Sequence, residues 1–208
     1  MSLLEVRNLI VQFGDGFQVG PASFATDPGI IHITGPNGGG KTTLMKAMSG
    51  GLLPTRGSVL VSGMDVHEIT SARRHIAFVA ATPELPDFLS VSEAYQFIAS
   101  LRRAPAWDGR SLCEALNLDP ALPLSSASAG QRQKAELICG LAGDPQVLLL
   151  DEIFAHLDHK SVTLLCDWIR EWSASRVVIF THHGEPPLLP HATLQVQSQS
   201  IVFERLSR

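Results

Sequence analysis

Cysteine is scarce in this sequence and scattered: Cys113, Cys139 and Cys166 are its three, and no two form a C-x-x-C pair. That spacing argues against both a zinc site and a disulfide framework. Each falls in a helix-like stretch, where a buried free thiol is expected, in keeping with a reducing compartment. Charge is thin as well. Sixteen basic against twenty acidic side chains leave a net charge of −4, without the basic footprint of a nucleic-acid binder. No apolar run reaches the roughly 18 residues of a membrane-crossing helix. The N-terminus, MSLLEVRNLIVQF, has no long apolar run with a cleavage site, so no signal peptide is expected. Internal repeats, low-complexity segments and heptad runs are missing too. What is left is a globular chain. Its 208 residues, 45% of them hydrophobic, can bury a sizeable core as one large domain or a core with a small subdomain.

Glycine, by contrast, is concentrated in one place. Residues 35–43 read GPNGGGKTT, which fits the spacing G-x-x-x-x-G-K-[ST] of a phosphate-binding loop. A polyphosphate needs backbone N–H groups packed around its oxygens, and residues without Cβ allow that approach. The stretch IIHIT (30–34) before it is strand-like, and KTTLMKAM after it is helix-like. An anion would therefore sit at a helix N-terminus. Gly35, Pro36, Asn37, Gly38, Gly39, Gly40 and Thr43 would form the cradle. Lys41 would reach the β- and γ-phosphates, and Thr42 would place its hydroxyl on Mg²⁺.

Further β-like runs occur at 3–13, 58–63 and 76–80, and wholly apolar ones at 146–150 (QVLLL) and 176–180 (RVVIF). Apolar strands alternating with helical stretches predict an α/β fold with a mostly parallel sheet. The tail ATLQVQSQSIVFERL reads as a hairpin. Between 84 and 127 the strand signal vanishes. Ser90 followed by Glu93 predicts a capped helix over SVSEAYQFIASLRR, and GRSLCEALNL (109–118) a shorter one. Residues 84–127 are therefore expected to be a helical insert in a nucleotide-binding core made of 1–83 and 128–208.

The strand 146–150 ends in Asp151 and Glu152. Asp151 would hold Mg²⁺, and Glu152, one residue on, would polarise an attacking water. The strand 176–180 leads through Thr181 to His182 and His183. His182 is expected to hydrogen-bond a γ-phosphate and sense its loss, with His183 a bystander. A metal site from His156, His159 and His183 is not demanded by their spacing.

With these motifs in this order, the chain resembles the ATP-binding cassette family along nearly all of its length. The segment SASAGQRQKAELICGLAGDPQVLLLDEIFAHLD looks like the family's signature motif, signature helix, second acidic motif and D-loop. Ser128, Gly130 and Gln131 match signature positions, while Ala127 and Ala129 depart from them. Ala155 to Asp158 matches the D-loop, His182 the switch histidine, and Phe13 stands where the family has an aromatic residue that stacks on adenine. The resemblance implies a P-loop NTPase fold of the cassette type: a mostly parallel core sheet, an antiparallel β subdomain and a helical insert. It implies an ATPase using ATP and Mg²⁺, working as a homo- or heterodimer in which Ser128, Gly130, Gln131 and Asp158 meet the other subunit's nucleotide. It further implies an integral-membrane permease docked near 81–100 and a place on the cytoplasmic face of the cell membrane, with small export-type and haem-exporter cassettes as similar forms. One departure stands out. The family's glutamine after the first half of the core falls on Ala81, with Thr82 and Glu84 the nearest polar residues. Alanine ligates no metal, so slower hydrolysis is expected. A non-transport cassette ATPase, a slow regulatory cassette and a small-molecule kinase are the rival readings. The kinase leaves the signature, Glu152 and His182 unexplained.

Overall fold

The structure, a computed structural model, describes residues 2–14, 16–104, 109–197 and 200–206. Among these residues, ten strands form two sheets. The first is antiparallel: β1 (Leu4–Gln12) lies between β2 (Gln18–Thr26) and β4 (Arg56–Val61), with the short β5 (Met64–Asp65) beyond β4. The second has the order β10-β9-β3-β8-β7-β6. Its strands β3 (Gly29–Thr34), β6 (Ile76–Val79), β7 (Val147–Leu150), β8 (Val177–Thr181) and β9 (Ala192–Gln197) run parallel, and β10 (Ser200–Arg205) returns antiparallel on β9. The expected α/β core, antiparallel sheet and terminal hairpin are all present. The residues joining β9 and β10 lie outside the described set.

The wholly apolar strands are buried on both faces, as their sequence requires. Val147, Leu149, Val177 and Ile179 point into one core, shared with the antiparallel sheet and α1 (Lys41–Met48). Leu148, Leu150, Val178 and Phe180 point into the other, shared with α2 (Val91–Leu101), α4 (Ala129–Gly140) and α5 (His159–Trp172). The period of two thus divides each strand between two cores.

Among the described residues no named strand lies between β6 and α4. That stretch carries α2 and α3 (Arg110–Ala115), where two helices are expected. Ser90 and Glu93 form the capping box that opens α2. Arg102, just past α2, donates from Nη1 to the carbonyls of Gly140 (2.6 Å) and Ala142 (2.7 Å) and so closes the C-terminus of α4. Cys113, Cys139 and Cys166 are buried free thiols on α3, α4 and α5.

The strand β2 is the element without a sequence signal. Gly20 and Pro21 interrupt QVGPASFAT, and proline cannot donate to a ladder. The structure tolerates them because β2 is an edge strand of its sheet, paired only with β1.

Candidate active site

The loop 35–40 leaves the carboxyl end of β3 and turns into α1, where the strand–loop–helix order placed it. Gly40 is the N-cap of α1, with φ of +98°. A Cβ there would stand 2.3 Å from Cγ2 of Val19, so the antiparallel sheet leaves room for glycine alone. At Gly35, φ +142°, a Cβ would meet the Val196 carbonyl oxygen at 2.4 Å. Lys41 folds its ammonium back over the loop and donates to the carbonyls of Gly35 and Pro36, both at 3.0 Å. A cation is thereby held over the mouth of the loop.

Parallel pairing brings the second half of the site alongside. Leu150 on β7 is in register with Phe180 on β8, so Asp151 and Thr181 emerge side by side. Thr181 Oγ1 donates to Asp151 Oδ1 at 2.7 Å, and Thr42 Oγ1 donates to Asp151 Oδ2 at 2.6 Å. The Glu152 N–H donates to Thr181 Oγ1 at 2.8 Å. One carboxylate thus links the helix after the phosphate loop to the ends of β7 and β8, across 109 residues of sequence. Asp151 is 2% exposed, and both its oxygens are used, which meets the demand that a buried charge be hydrogen-bonded.

Glu152 sits in the left-handed region, φ 48°. That turn swings its carboxyl into a cleft of about 280 Å³ with Lys41, Thr42, Asp151 and the loop glycines. Its Oε1 is buried without a hydrogen-bond partner and lies 3.6 Å from Nε2 of His183. The cleft is also lined by Asn37, Thr43, Phe17 and His183. Phe17 lines the cleft and Phe13 does not, although the two rings are 5.9 Å apart. His183, read from the sequence as a bystander, is the histidine beside Glu152. His182 instead sets its ring edge-on to Phe154, at 5.8 Å and 88°, with Nδ1 buried and unpartnered. Their place in the sequence gives the two rings different surroundings only through the local turn after β8.

Ser128, Gly130, Gln131 and Asp158 do not line this cleft. Ser128 and Gln131 form a capping box at the start of α4. The Ser128 oxygen accepts from the Gln131 N–H at 3.3 Å, which leaves its own O–H proton for an outside acceptor. Gly130 packs against the D-loop: a Cβ there would lie 2.8 Å from the His156 carbonyl oxygen. The Asp158 carboxylate is engaged within the chain. It accepts from the Ser161 N–H and hydroxyl at the start of α5, and from Nζ of the buried Lys134 at 2.8 Å. Lys134, then Ser161, hold it well below the usual carboxylate range. Asp158 therefore joins α4 to α5.

Among the described residues, none from the segment around Ala81 lines the cleft. Thr82 and Glu84 do not line it, and Glu84 instead faces Lys46 of α1 at 3.4 Å. Gln133 of α4 holds this segment from below, donating to the Ala80 carbonyl at 3.1 Å. Among the described residues no cluster of histidine, cysteine or carboxylate side chains suits a metal ion by itself. No helix among them is long and apolar enough to cross a membrane.

The sequence model of the ABC transporter family matches residues 21–155. The sulfate/thiosulfate import ATP-binding protein CysA of Synechocystis is 32% identical over 179 residues, 82% of this chain and 50% of that protein. The spermidine/putrescine import ATP-binding protein PotA of Chromobacterium violaceum is 30% identical over 77% of this chain and 46% of its own length. This chain spans about half the length, or less, of these curated relatives. Among solved structures, an ATP-binding subunit of an ABC transporter superposes with a TM-score of 0.87 at 22% identity, covering 99% of this chain and 90% of that one. The cassette MJ0796, a dimer bound to ADP and Pi, gives 0.85 at 19% identity, covering 99% of both.

Proposed function

The chain belongs to the ABC transporter family, and on that premise we propose that it binds and hydrolyses ATP as a cassette that dimerises on the nucleotide and drives a separate membrane permease. The observation that carries the chemistry is the Thr42–Asp151–Thr181–Glu152 hydrogen-bonded chain beside the phosphate loop. The loop amides and Lys41 bind the polyphosphate at the start of α1. The Thr42 hydroxyl and the Asp151 carboxylate are hard oxygen donors already 2.6 Å apart, which fits Mg²⁺. When bound, that ion neutralises phosphate charge. Glu152, which lines the cleft beside Thr42 and Asp151, orients the attacking water. His182 meets the γ-phosphate and registers its loss.

The nucleotide site is half complete in one copy, because Ser128, Gly130 and Gln131 stand away from the cleft. Their free hydroxyl proton and helix-start N–H groups serve the γ-phosphate of a second cassette. ATP bridging two copies stabilises the closed dimer by linkage, and hydrolysis releases it. The permease docks on the insert near residues 81–100, where Phe88 is 86% exposed and Phe97 49%. On this reading the chain works on the cytoplasmic face of the cell membrane. The relatives named above are import proteins by their printed names. The substrate of this chain's partner is not encoded in the cassette.

A second reading rests on Ala81. With no polar neighbour in the cleft to replace the glutamine, the cassette turns over slowly and acts as a regulatory ATP sensor.

The deciding experiment uses Glu152→Gln. The variant should bind ATP as the parent does, lose at least about 100-fold in turnover, and retain a multi-span membrane protein on gentle detergent extraction. Steady hydrolysis by the variant would remove Glu152 from the base role. Recovery with ribosomes or DNA-bound proteins, and no membrane partner, would replace the transporter by a non-transport ATPase.

A further inference from the structure

The helix α4, which opens with the signature segment, carries a cation in its buried face. Lys134 is 9% exposed, and a buried ammonium is costly unless acceptors surround it. Among the described residues it meets two, from two different parts of the chain. Its Nζ donates to the Leu116 carbonyl, just past α3, at 3.0 Å, and to Asp158 Oδ2, just ahead of α5, at 2.8 Å. The Asp158 side chain is 57% exposed. One end of the pair therefore stands in the interior and the other at the surface. Asp158 also accepts from the Ser161 N–H and hydroxyl, both at 2.9 Å, so three bonds fix the orientation of one exposed carboxylate.

The position of Lys134 along α4 matters as much as its partners. Gly130 stands four residues earlier and shares its face of the helix. A Cβ at Gly130 would lie 2.8 Å from the His156 carbonyl oxygen. That face of α4 thus seats against residues 156–158 at two points one turn apart: a bare Cα on a carbonyl, then an ammonium on a carboxylate. The residues between point elsewhere. Arg132 donates to Asp87, and Gln133 to the Ala80 carbonyl at 3.1 Å. Packing alone does not require lysine here, because a methionine would fill the space with no charge to satisfy.

We propose that Lys134 is a positioning residue for the ATP-dependent dimer: it ties the D-loop to the signature face of α4 and to the end of α3, so that a second copy meets one rigid surface set by the helical insert. A surface ordered in advance loses less freedom on association. Lys134 does not line the nucleotide cleft, so its loss weakens the dimer and leaves nucleotide capture alone. The proposal rests on the reading of the chain as a dimerising cassette.

The test uses Lys134→Met in the full chain carrying Glu152→Gln, at a temperature where both are folded. Sedimentation with ATP and Mg²⁺ gives the dimer affinity, a fluorescent ATP analogue the nucleotide affinity, and hydrogen exchange without nucleotide the local order. Lys134→Met should weaken the dimer at least about tenfold, keep ATP affinity within about threefold, and speed exchange over residues 155–161. Asp158→Asn keeps an oxygen for the Ser161 N–H and breaks the pair from the other side; it should speed exchange over the same residues, and it serves if Lys134→Met does not fold. A dimer as tight as the parent's in Lys134→Met would overturn the proposal, since a purely structural lysine lowers the thermal midpoint and no more. So would a weaker dimer with exchange over 155–161 unchanged, or an equal loss of ATP affinity. Failure of Glu152→Gln itself to dimerise would strike the dimer reading and the proposal with it, and is told apart because the exchange measurement reports the Lys134–Asp158 contact in the monomer.

Discussion

At the scale of single residues, the buried carboxyls of this protein divide by what faces them. Asp151 accepts from the hydroxyls of Thr42 and Thr181, one on each oxygen. Glu136, on α4, is pushed up to about 7, first by burial and further by the charge of Glu84, with the backbone N–H groups of Glu84 and Leu85 working the other way. Its Oε2 is buried without a partner. A carboxyl whose folded value lies above its ordinary one of 4.5 takes up protons on folding. Its contribution is therefore fully present below about pH 4.5 and lost as the pH rises to about 7. Glu136→Gln, neutral at every pH, should raise the thermal midpoint at pH 8 and not at pH 4.5, by at most about 3 kcal/mol at the alkaline end. Unfolding curves of parent and variant at both pH values check this; a pH-independent difference would mean that the carboxylate is solvated in the folded state.

At the scale of elements, the phosphate loop shows how a motif depends on its neighbours. The sequence reading assigned its glycines to the approach of a phosphate. The structure adds a second demand at Gly40, where β2 presses Val19 against the bare Cα from behind. Gly40→Ala must strain φ of +98° and displace Val19 together. A loss of about 2 kcal/mol or more in stability is expected even without nucleotide, along with a large loss of ATP affinity; denaturant unfolding and a fluorescent ATP analogue measure the two. Had the glycine served the phosphate alone, stability without nucleotide would be unchanged. The insert helices were legible because Ser90 and Glu93 spell a capping box. The edge strand β2 was not, because Gly20 and Pro21 read as a turn unless the free edge beside them is known.

At the scale of the whole molecule, the cleft and the signature segment belong to one chain but not to one site. The proposed dimer follows from that separation, and it should be visible without a permease. In Glu152→Gln, ATP with Mg²⁺ should shift the chain from monomer to dimer in sedimentation. A Ser128→Arg change in the same background should abolish the shift while leaving ATP affinity within about threefold, because Ser128 lies outside its own chain's cleft. A dimer that persists with Arg at 128 would place the contact elsewhere.

The sequence by itself determined the class of fold, the phosphate loop and the acidic pair. These are encoded locally, by spacing, by strand hydrophobicity and by the order of the elements. It also marked Ala81 as a departure, since a missing side chain is as visible as a present one. Tertiary structure alone decided which neighbours each residue received. Parallel pairing of β7 and β8 brought Thr181 to Asp151. Glu152, in the left-handed region, and His183, after β8, both came to line the cleft, while the His182 ring came to stand edge-on to Phe154. The Asp158 carboxylate went to Lys134, and the His32 ring came to rest flat on Phe180. Such pairings join residues 24 to 148 positions apart, and no local pattern can specify a contact whose two halves meet only when the sheet has formed.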